Sequence, residues 1–148
     1  MFESPYPDVE IPDVSVYEYL FGSLTTDDAA RIALVDPTTS AETTYGTLKA
    51  QIDAFAGALA ARGVGVGTTV GLLCPNIPAF ATVFHGILRA GATVTTVNSL
   101  YTAGEIGKQL KDAVLGTHDK FPTNSCNKRR RCHVRMSLCT SVSLTVAA

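Results

Sequence analysis

The sequence predicts an α/β fold in which helices alternate with mainly parallel strands over residues 1–113, followed by a basic tail over 114–148 that is expected to be disordered. Three observations carry that expectation. Apolar residues recur at helical spacing in long segments, short apolar runs separate those segments, and the composition breaks at Ala113. Up to Ala113 twelve acidic residues face six basic ones, a net of −6, whereas beyond it six basic residues face Asp119 alone, a net of +5. The whole-chain charge of −1 averages two unlike segments.

Met1 to Asp13 is rich in Pro and acids and reads as an extended lead-in. Ser15 with Glu18 three residues on has capping-box spacing and starts a short helix through Tyr19, Leu20 and Phe21. Arg31 to Asp36 is a compact strand, and Pro37 with the Thr/Ser cluster after it makes a turn. Thr44 caps the next helix, where Leu48, Ile52, Phe55 and Leu59 recur at steps of four, three and four on one face. Burying those side chains contributes about 6–12 kcal/mol before entropy is counted. Gly63 follows Arg62 as the left-handed residue that ends this helix.

Thr69 to Cys74 is an apolar strand of the kind enclosed on both faces of a parallel sheet. Asn76 is the expected cap of a further helix, with Pro78 in its first turn and Phe80, Phe84, Ile87 and Leu88 as its buried face. Thr93 to Val97 is the next strand. After a turn at Asn98 to Tyr101, Thr102 and Glu105 form a second capping box for a helix with Ile106, Leu110 and Ala113 inward. A right-handed crossover then requires a parallel return strand. None follows directly; Leu138, Val142, Leu144 and Val146, at even positions, suit a half-exposed edge strand instead.

The length allows one ordinary domain, which on folding buries roughly two-thirds of its unfolded surface. No charged start followed by an apolar run marks a secretory signal, and the apolar stretch Ala54 to Ala61 is too short to span a bilayer, so a cytoplasmic protein is expected. Cys74 reads as a buried free thiol. In the tail Cys126, Cys132 and Cys139 with His133 invite a zinc reading, but their C-x5-C-H-x5-C spacing lacks the close cysteine pair of structural zinc sites, and no metal is expected.

The Gly-rich stretch Gly63 to Gly71 resembles a nucleotide loop only in composition. It comes after a helix and before a strand, the reverse of a phosphate-binding turn, and holds neither G-x-G-x-x-G nor Gly-Lys-Ser/Thr. A helix stop and reverse turn is the expectation. His85 has no carboxylate or cysteine near it in sequence and reads as a structural histidine, and Asn76 and Asn98 as cap and turn residues.

Two long segments carry a resemblance: TTYGTLKAQIDAFAGALAARGVGVGTTVGLLCPN from Thr43, and FHGILRAGATVTTVNSLYTAGEIGKQLKDA from Phe84 to Ala113. With the opening MFESPYPDVEIPDVSVYEYL, they resemble the N-terminal part of the adenylate-forming acyl-CoA synthetases, close to the 4-coumarate-CoA ligase branch. Gly67–Thr68 stands where that family often has Gly-Asp, which removes a turn carboxylate. The resemblance implies an enzyme that activates a coumarate-like or fatty acid with ATP and magnesium to an acyl-adenylate, then transfers the acyl group to coenzyme A. It also implies a Ser/Thr/Gly-rich loop ending in Lys, an Asp in the adenine and ribose pocket, and a Lys from a mobile C-terminal domain. None of these motifs occurs in the 148 residues. No catalytic, cofactor-binding or metal-binding residue is therefore assigned, no cofactor is expected to bind this chain, and it is expected to be inactive alone.

At Ala113 the resemblance ends, and VLGTHDKFPTNSCNKRRRCHVRMSLCTSVSLTVAA begins without a linker. A frame change in the coding sequence accounts together for the lost pattern, the reversed charge and the clustered Cys and Arg, and makes the chain a truncated ligase. Two alternatives stand beside it. One is a small non-catalytic protein whose Lys128, Arg129, Arg130, Arg131 and Arg135 bind nucleic acid or another polyanion, although Phe121 is the tail's one aromatic and no recognised module accompanies it. The other is half of a ligase completed by a separate chain.

Overall fold

The computed structural model describes residues 5–115 and 143–147. Helix α1 (Val16–Phe21) starts where the Ser15 hydroxyl accepts the Glu18 N–H at 3.1 Å. Helix α2 (Thr26–Ala30) starts likewise, with Thr25 accepting the Asp28 N–H at 3.2 Å. The sequence reading missed α2, since five residues are too few to show an apolar period. Strands β1 (Ile32–Val35) and β2 (Glu42–Thr44) form an antiparallel hairpin from Ile32↔Thr44 to Val35↔Glu42, with a register shift between Ile32 and Leu34. β2 was also unforeseen. The expected turn lies between the two strands, where the Asp36 carboxylate accepts the Thr38 N–H at 2.8 Å.

Helix α3 (Tyr45–Ala60) is capped by Thr44, whose hydroxyl accepts the Thr47 N–H at 3.2 Å. All four expected stripe residues, Leu48, Ile52, Phe55 and Leu59, are buried. At the other end Gly63 takes φ +78°, and the Val64 N–H reaches the Leu59 carbonyl at 3.1 Å.

Strand β3 (Thr69–Leu73) runs parallel to β4 (Thr93–Val97), in register from Thr69↔Thr93 to Leu73↔Val97. Helix α4 (Pro78–Arg89) connects them. Its N-cap is Ile77, held extended at φ −123° and ψ 159° with no side-chain cap, so the expected cap at Asn76 is corrected. The physical reason is Pro78: it fills the first helical position, where its missing N–H costs nothing, and keeps the residue before it out of the helix. The buried face of α4 is also rotated from the expected one. Val83, Gly86 and Ile87 are buried while Phe80, Phe84 and Leu88 are half-buried, because Gly86 admits Phe55 of α3 against the helix backbone.

Helix α5 (Ala103–Leu115) carries the expected capping box: the Thr102 N–H and hydroxyl donate to Glu105 Oε2 at 2.8 and 2.7 Å. Ile106, Leu110 and Ala113 are half-buried. Strand β5 (Ser143–Ala147) pairs antiparallel with β3, giving the order β4-β3-β5. The α/β alternation and its parallel pair are present, with antiparallel pairs added by the hairpin and β5.

Of residues 114–148, the described ones fall at two places. α5 runs through Val114 and Leu115, since nothing at Ala113 breaks a helix, and residues 143–147 satisfy the second edge of β3. Cys126, Cys132, His133 and Cys139, with the basic residues Lys128, Arg129, Arg130, Arg131 and Arg135, lie outside the described residues.

Two buried clusters hold these elements. One joins α3 and α4 to the sheet through Phe55, Leu59, Val70, Leu72, Cys74, Val83 and Ile87. The other seats α1 on α3 through Tyr17, Phe21, Leu48 and Ile52.

Candidate functional site

The densest polar arrangement among the described residues centres on Asp53, on the flank of α3 beside its apolar stripe. The Tyr17 hydroxyl of α1 donates to Asp53 Oδ1 at 2.6 Å, Lys49 Nζ donates to Oδ2 at 3.3 Å, and Arg89 Nε of α4 donates to Oδ1 at 3.4 Å. The Arg89 guanidinium lies over the Tyr17 ring at 4.6 Å and the Lys49 ammonium at 5.7 Å. The Tyr17 hydroxyl, then Lys49 and Arg89, hold the Asp53 carboxyl below its ordinary range. Lys49 is raised by Tyr17 first and Asp53 second, and Arg89 by Asp53 first.

One carboxylate thus engages two cations and a phenol from three helices. Both cations are already committed to Asp53, so the arrangement works as a staple that fixes α1 against α3 and α4. Side-chain exposures of 38% to 50% put each ion pair in the range of about 0–1 kcal/mol.

His85 sits on α4 between Phe21 and Phe84, edge-on to both rings at 5.5 and 5.4 Å. Its Nδ1 is buried without a hydrogen-bond partner, and burial lowers its pKa from 6.5. No acid or nucleophile is hydrogen-bonded to it among the described residues. Cys74 is buried, with its thiol directed at the Pro75 carbonyl at 3.2 Å and its pKa raised by burial. That environment disfavours the thiolate a nucleophile needs.

The Gly-rich stretch is the turn its context predicts. Gly67 has φ +84°, the Thr68 N–H donates to the Gly65 carbonyl at 3.0 Å, and the Gly65 N–H reaches the Thr68 hydroxyl at 3.4 Å. The Gly63 N–H donates to the Ala60 carbonyl at 2.9 Å. With those donors turned inward, the stretch offers no cradle for a phosphate. Among the described residues no group of three His, Cys, Asp or Glu side chains is arranged to hold a metal ion, and no helix is long and apolar enough to cross a membrane.

A second feature is an open apolar groove between α3 and α4, with Gln51, Ala54, Ala58, Ala79 and Thr82 among its walls. Across it the Thr82 hydroxyl donates to the Gln51 side-chain oxygen at 3.1 Å. Sequence reasoning named neither this groove nor the Asp53 staple.

Fold and site together define an α/β scaffold in which, among the described residues, every buried side-chain polar atom but His85 Nδ1 has a partner. Residues 25–117 match the family described as AMP-binding enzyme, and the chain belongs to that family. It is 39% identical over 111 residues to 4-coumarate–CoA ligase 5 of Oryza sativa subsp. japonica, a match covering 74% of this chain and 20% of that protein. To 4-coumarate–CoA ligase of Pinus taeda it is 37% identical over 114 residues, covering 76% of this chain and 21% of that one. The chain spans about a fifth of the length of the curated relatives it matches. Among solved structures, the inhibitor-bound N-terminal domain of FACL13 from Mycobacterium tuberculosis superposes with a TM-score of 0.60 at 27% identity, covering 68% of this chain and 25% of that one. ATP-bound MatB from Rhodopseudomonas palustris gives a TM-score of 0.56 at 26% identity, covering 66% and 19%.

Proposed function

We propose that this chain is the opening scaffold of an ATP-dependent acid–thiol ligase acting on a coumarate-like or fatty acid, and that alone it does not form acyl-adenylates. Membership of the AMP-binding family and likeness to 4-coumarate–CoA ligases support the ligase reading. The observation that carries the second half is the inward commitment of the polar groups. Lys49 and Arg89 are bound to Asp53, and the Gly63, Gly65 and Thr68 amides bond within their own turn. Adenylate formation needs donors and cations aimed at phosphate oxygens in the transition state, and groups satisfied internally cannot supply them.

In this reading residues 1–113 form part of the AMP-binding domain, whose family match runs to residue 117, and the rest of 114–148 is a tail outside that match. ATP, magnesium and coenzyme A then belong to the whole ligase. Use of ATP and coenzyme A, with Cys74 buried and unpaired among the described residues, fits a cytoplasmic setting.

The test is acid-dependent ATP–pyrophosphate exchange on the purified 148-residue chain, with coumarate and with medium- and long-chain fatty acids. No exchange above a blank without acid is expected. Clear acid-dependent exchange would overturn the reading.

A further inference from the structure

Strand β3 is enclosed on both faces, with Val70 and Leu72 0% exposed on one and Thr69 and Gly71 buried on the other, so its main-chain groups on either edge need a strand partner. β4 provides one, in parallel. Ser143–Ala147 provides the other, antiparallel, in register from Thr69↔Ala147 to Leu73↔Ser143.

That second partner is not the one the connectivity prepares. β3, α4 and β4 form a parallel crossover unit, and α5 then leaves β4 and lies back over both β4 and β3. Gln109 holds it there, its amide donating to the Thr96 carbonyl at 2.6 Å and the Thr95 hydroxyl at 3.2 Å. A helix so placed leads to a strand parallel to β3. β5 runs the opposite way and arrives only after residues 116–142. Its sequence, SLTVA, alternates polar and apolar residues, a composition suited to an edge with one solvated face.

We infer that the β3 edge opposite β4 is a strand-acceptor site, that Ser143–Ala147 is its exchangeable cap, and that its preferred guest is a β-branched apolar strand entering parallel to β3. The identity of the guest rests on the ligase reading: it is a strand of the remaining part of such an enzyme. β5 already bonds this edge of β3, so a guest that pairs with β3 must displace it. Main-chain bonds supply the affinity, and the enclosed faces of β3 select apolar side chains.

The test compares the full chain with its Leu144→Pro/Thr145→Pro variant. Of two consecutive residues in an antiparallel edge strand, one donates into the ladder, so the paired prolines release the cap. The probe is a fluorescent peptide of residues 141–148, SVSLTVAA, followed by anisotropy. A tethered cap acts at an effective concentration on the order of millimolar and shuts out micromolar peptide, so the variant should bind at least about ten-fold more tightly than the native chain. A variant with native circular dichroism that binds no better would overturn the acceptor site. A second probe, a lysine-flanked Val/Ile peptide, should bind the variant more tightly than SVSLTVAA, and the reverse order would refute the guest preference.

Hydrogen exchange on the native chain needs no variant. The β3 amides facing β5 should exchange at least about ten-fold faster than those facing β4. Equal protection would show that β5 is a fixed strand. These measurements involve neither ATP nor an acid, so their failure and that of the ligase reading are distinguishable.

Discussion

Gly86→Ala sets two effects of opposite sign against each other. In the middle of α4, alanine is favoured over glycine by about 1 kcal/mol through backbone entropy. A Cβ at this position, however, would meet Phe55 Cδ1 at 2.5 Å and Phe55 Cβ and Cγ at 3.3 Å. Phe55 is only 7% exposed and packed in the α3–α4 core, so the ring has little room to yield. Overpacking of this kind costs about 1–3 kcal/mol, which outweighs the propensity gain and leaves a net loss of roughly 0–2 kcal/mol. Urea unfolding followed by far-ultraviolet circular dichroism measures it.

Gly57→Ala is the matched control, since Gly57 is also helical but has nothing within 4 Å of its virtual Cβ. It should stabilise by up to about 1 kcal/mol. In a Phe55→Leu background the penalty at Gly86 should shrink, because a smaller branched side chain vacates the ring's volume. A Gly86→Ala protein stabilised by the same margin as Gly57→Ala would refute the close approach of α3 and α4 at this point.

Three further outcomes follow from the polar groups. Asp53 has a depressed carboxyl pKa, so the stability it contributes is present above its ordinary value of 3.8 and fades as the pH falls through the depressed one; Asp53→Asn should cost no more than about 1 kcal/mol near neutrality, and the difference should vanish in acid. His85 is likewise depressed, so the unfolded chain takes up its proton first and stability falls as the pH drops below 6.5; the His85 NMR titration midpoint should lie below 6.5, and His85→Gln should remove this part of the acid dependence of the urea midpoint. Thr102→Ala removes the α5 cap and should cost about 1 kcal/mol, visible as faster hydrogen exchange in the first turn of α5; unchanged exchange there would mean that the capping box does not hold that end.

Where a cap and an apolar period coincide, the sequence determines the element. α3 has Thr44 at its start, Gly63 beyond its end and four stripe residues between, and all of them take the expected places. α5 keeps its capping box, and β3 and β4 are legible as apolar runs between helix signals. The misses share a cause: the deciding interaction lies outside the window being read. α2 and β2 have five and three residues, too few for periodicity, although Thr25 and Asp28 repeat the cap spacing of Ser15 and Glu18. The buried face of α4 is set by Phe55, far away in sequence, and not by the helix's own largest residues. At Asn76 a cap propensity was outweighed by the geometry of a proline two residues on.

The Asp53 staple was hidden for the same reason in a stronger form. Of its members only Lys49 and Asp53 show a sequence signal, the i, i+4 spacing of an exposed helical pair, and that signal predicts nothing beyond α3. Tyr17 and Arg89 are each 36 positions from Asp53, on helices whose mutual placement depends on Ile52 and Ile87 being buried first. The apolar stripes therefore come before the staple causally: they set which helix flanks meet, and the polar residues on those flanks then find partners. A reader of the sequence can identify the stripes and so the scaffold, but the charges between helices become legible only after the helices are packed. The same ordering explains why the Gly-rich stretch was read correctly. Its meaning depends on the helix before it and the strand after it, both of which are local, and no distant partner was needed to identify it as a turn.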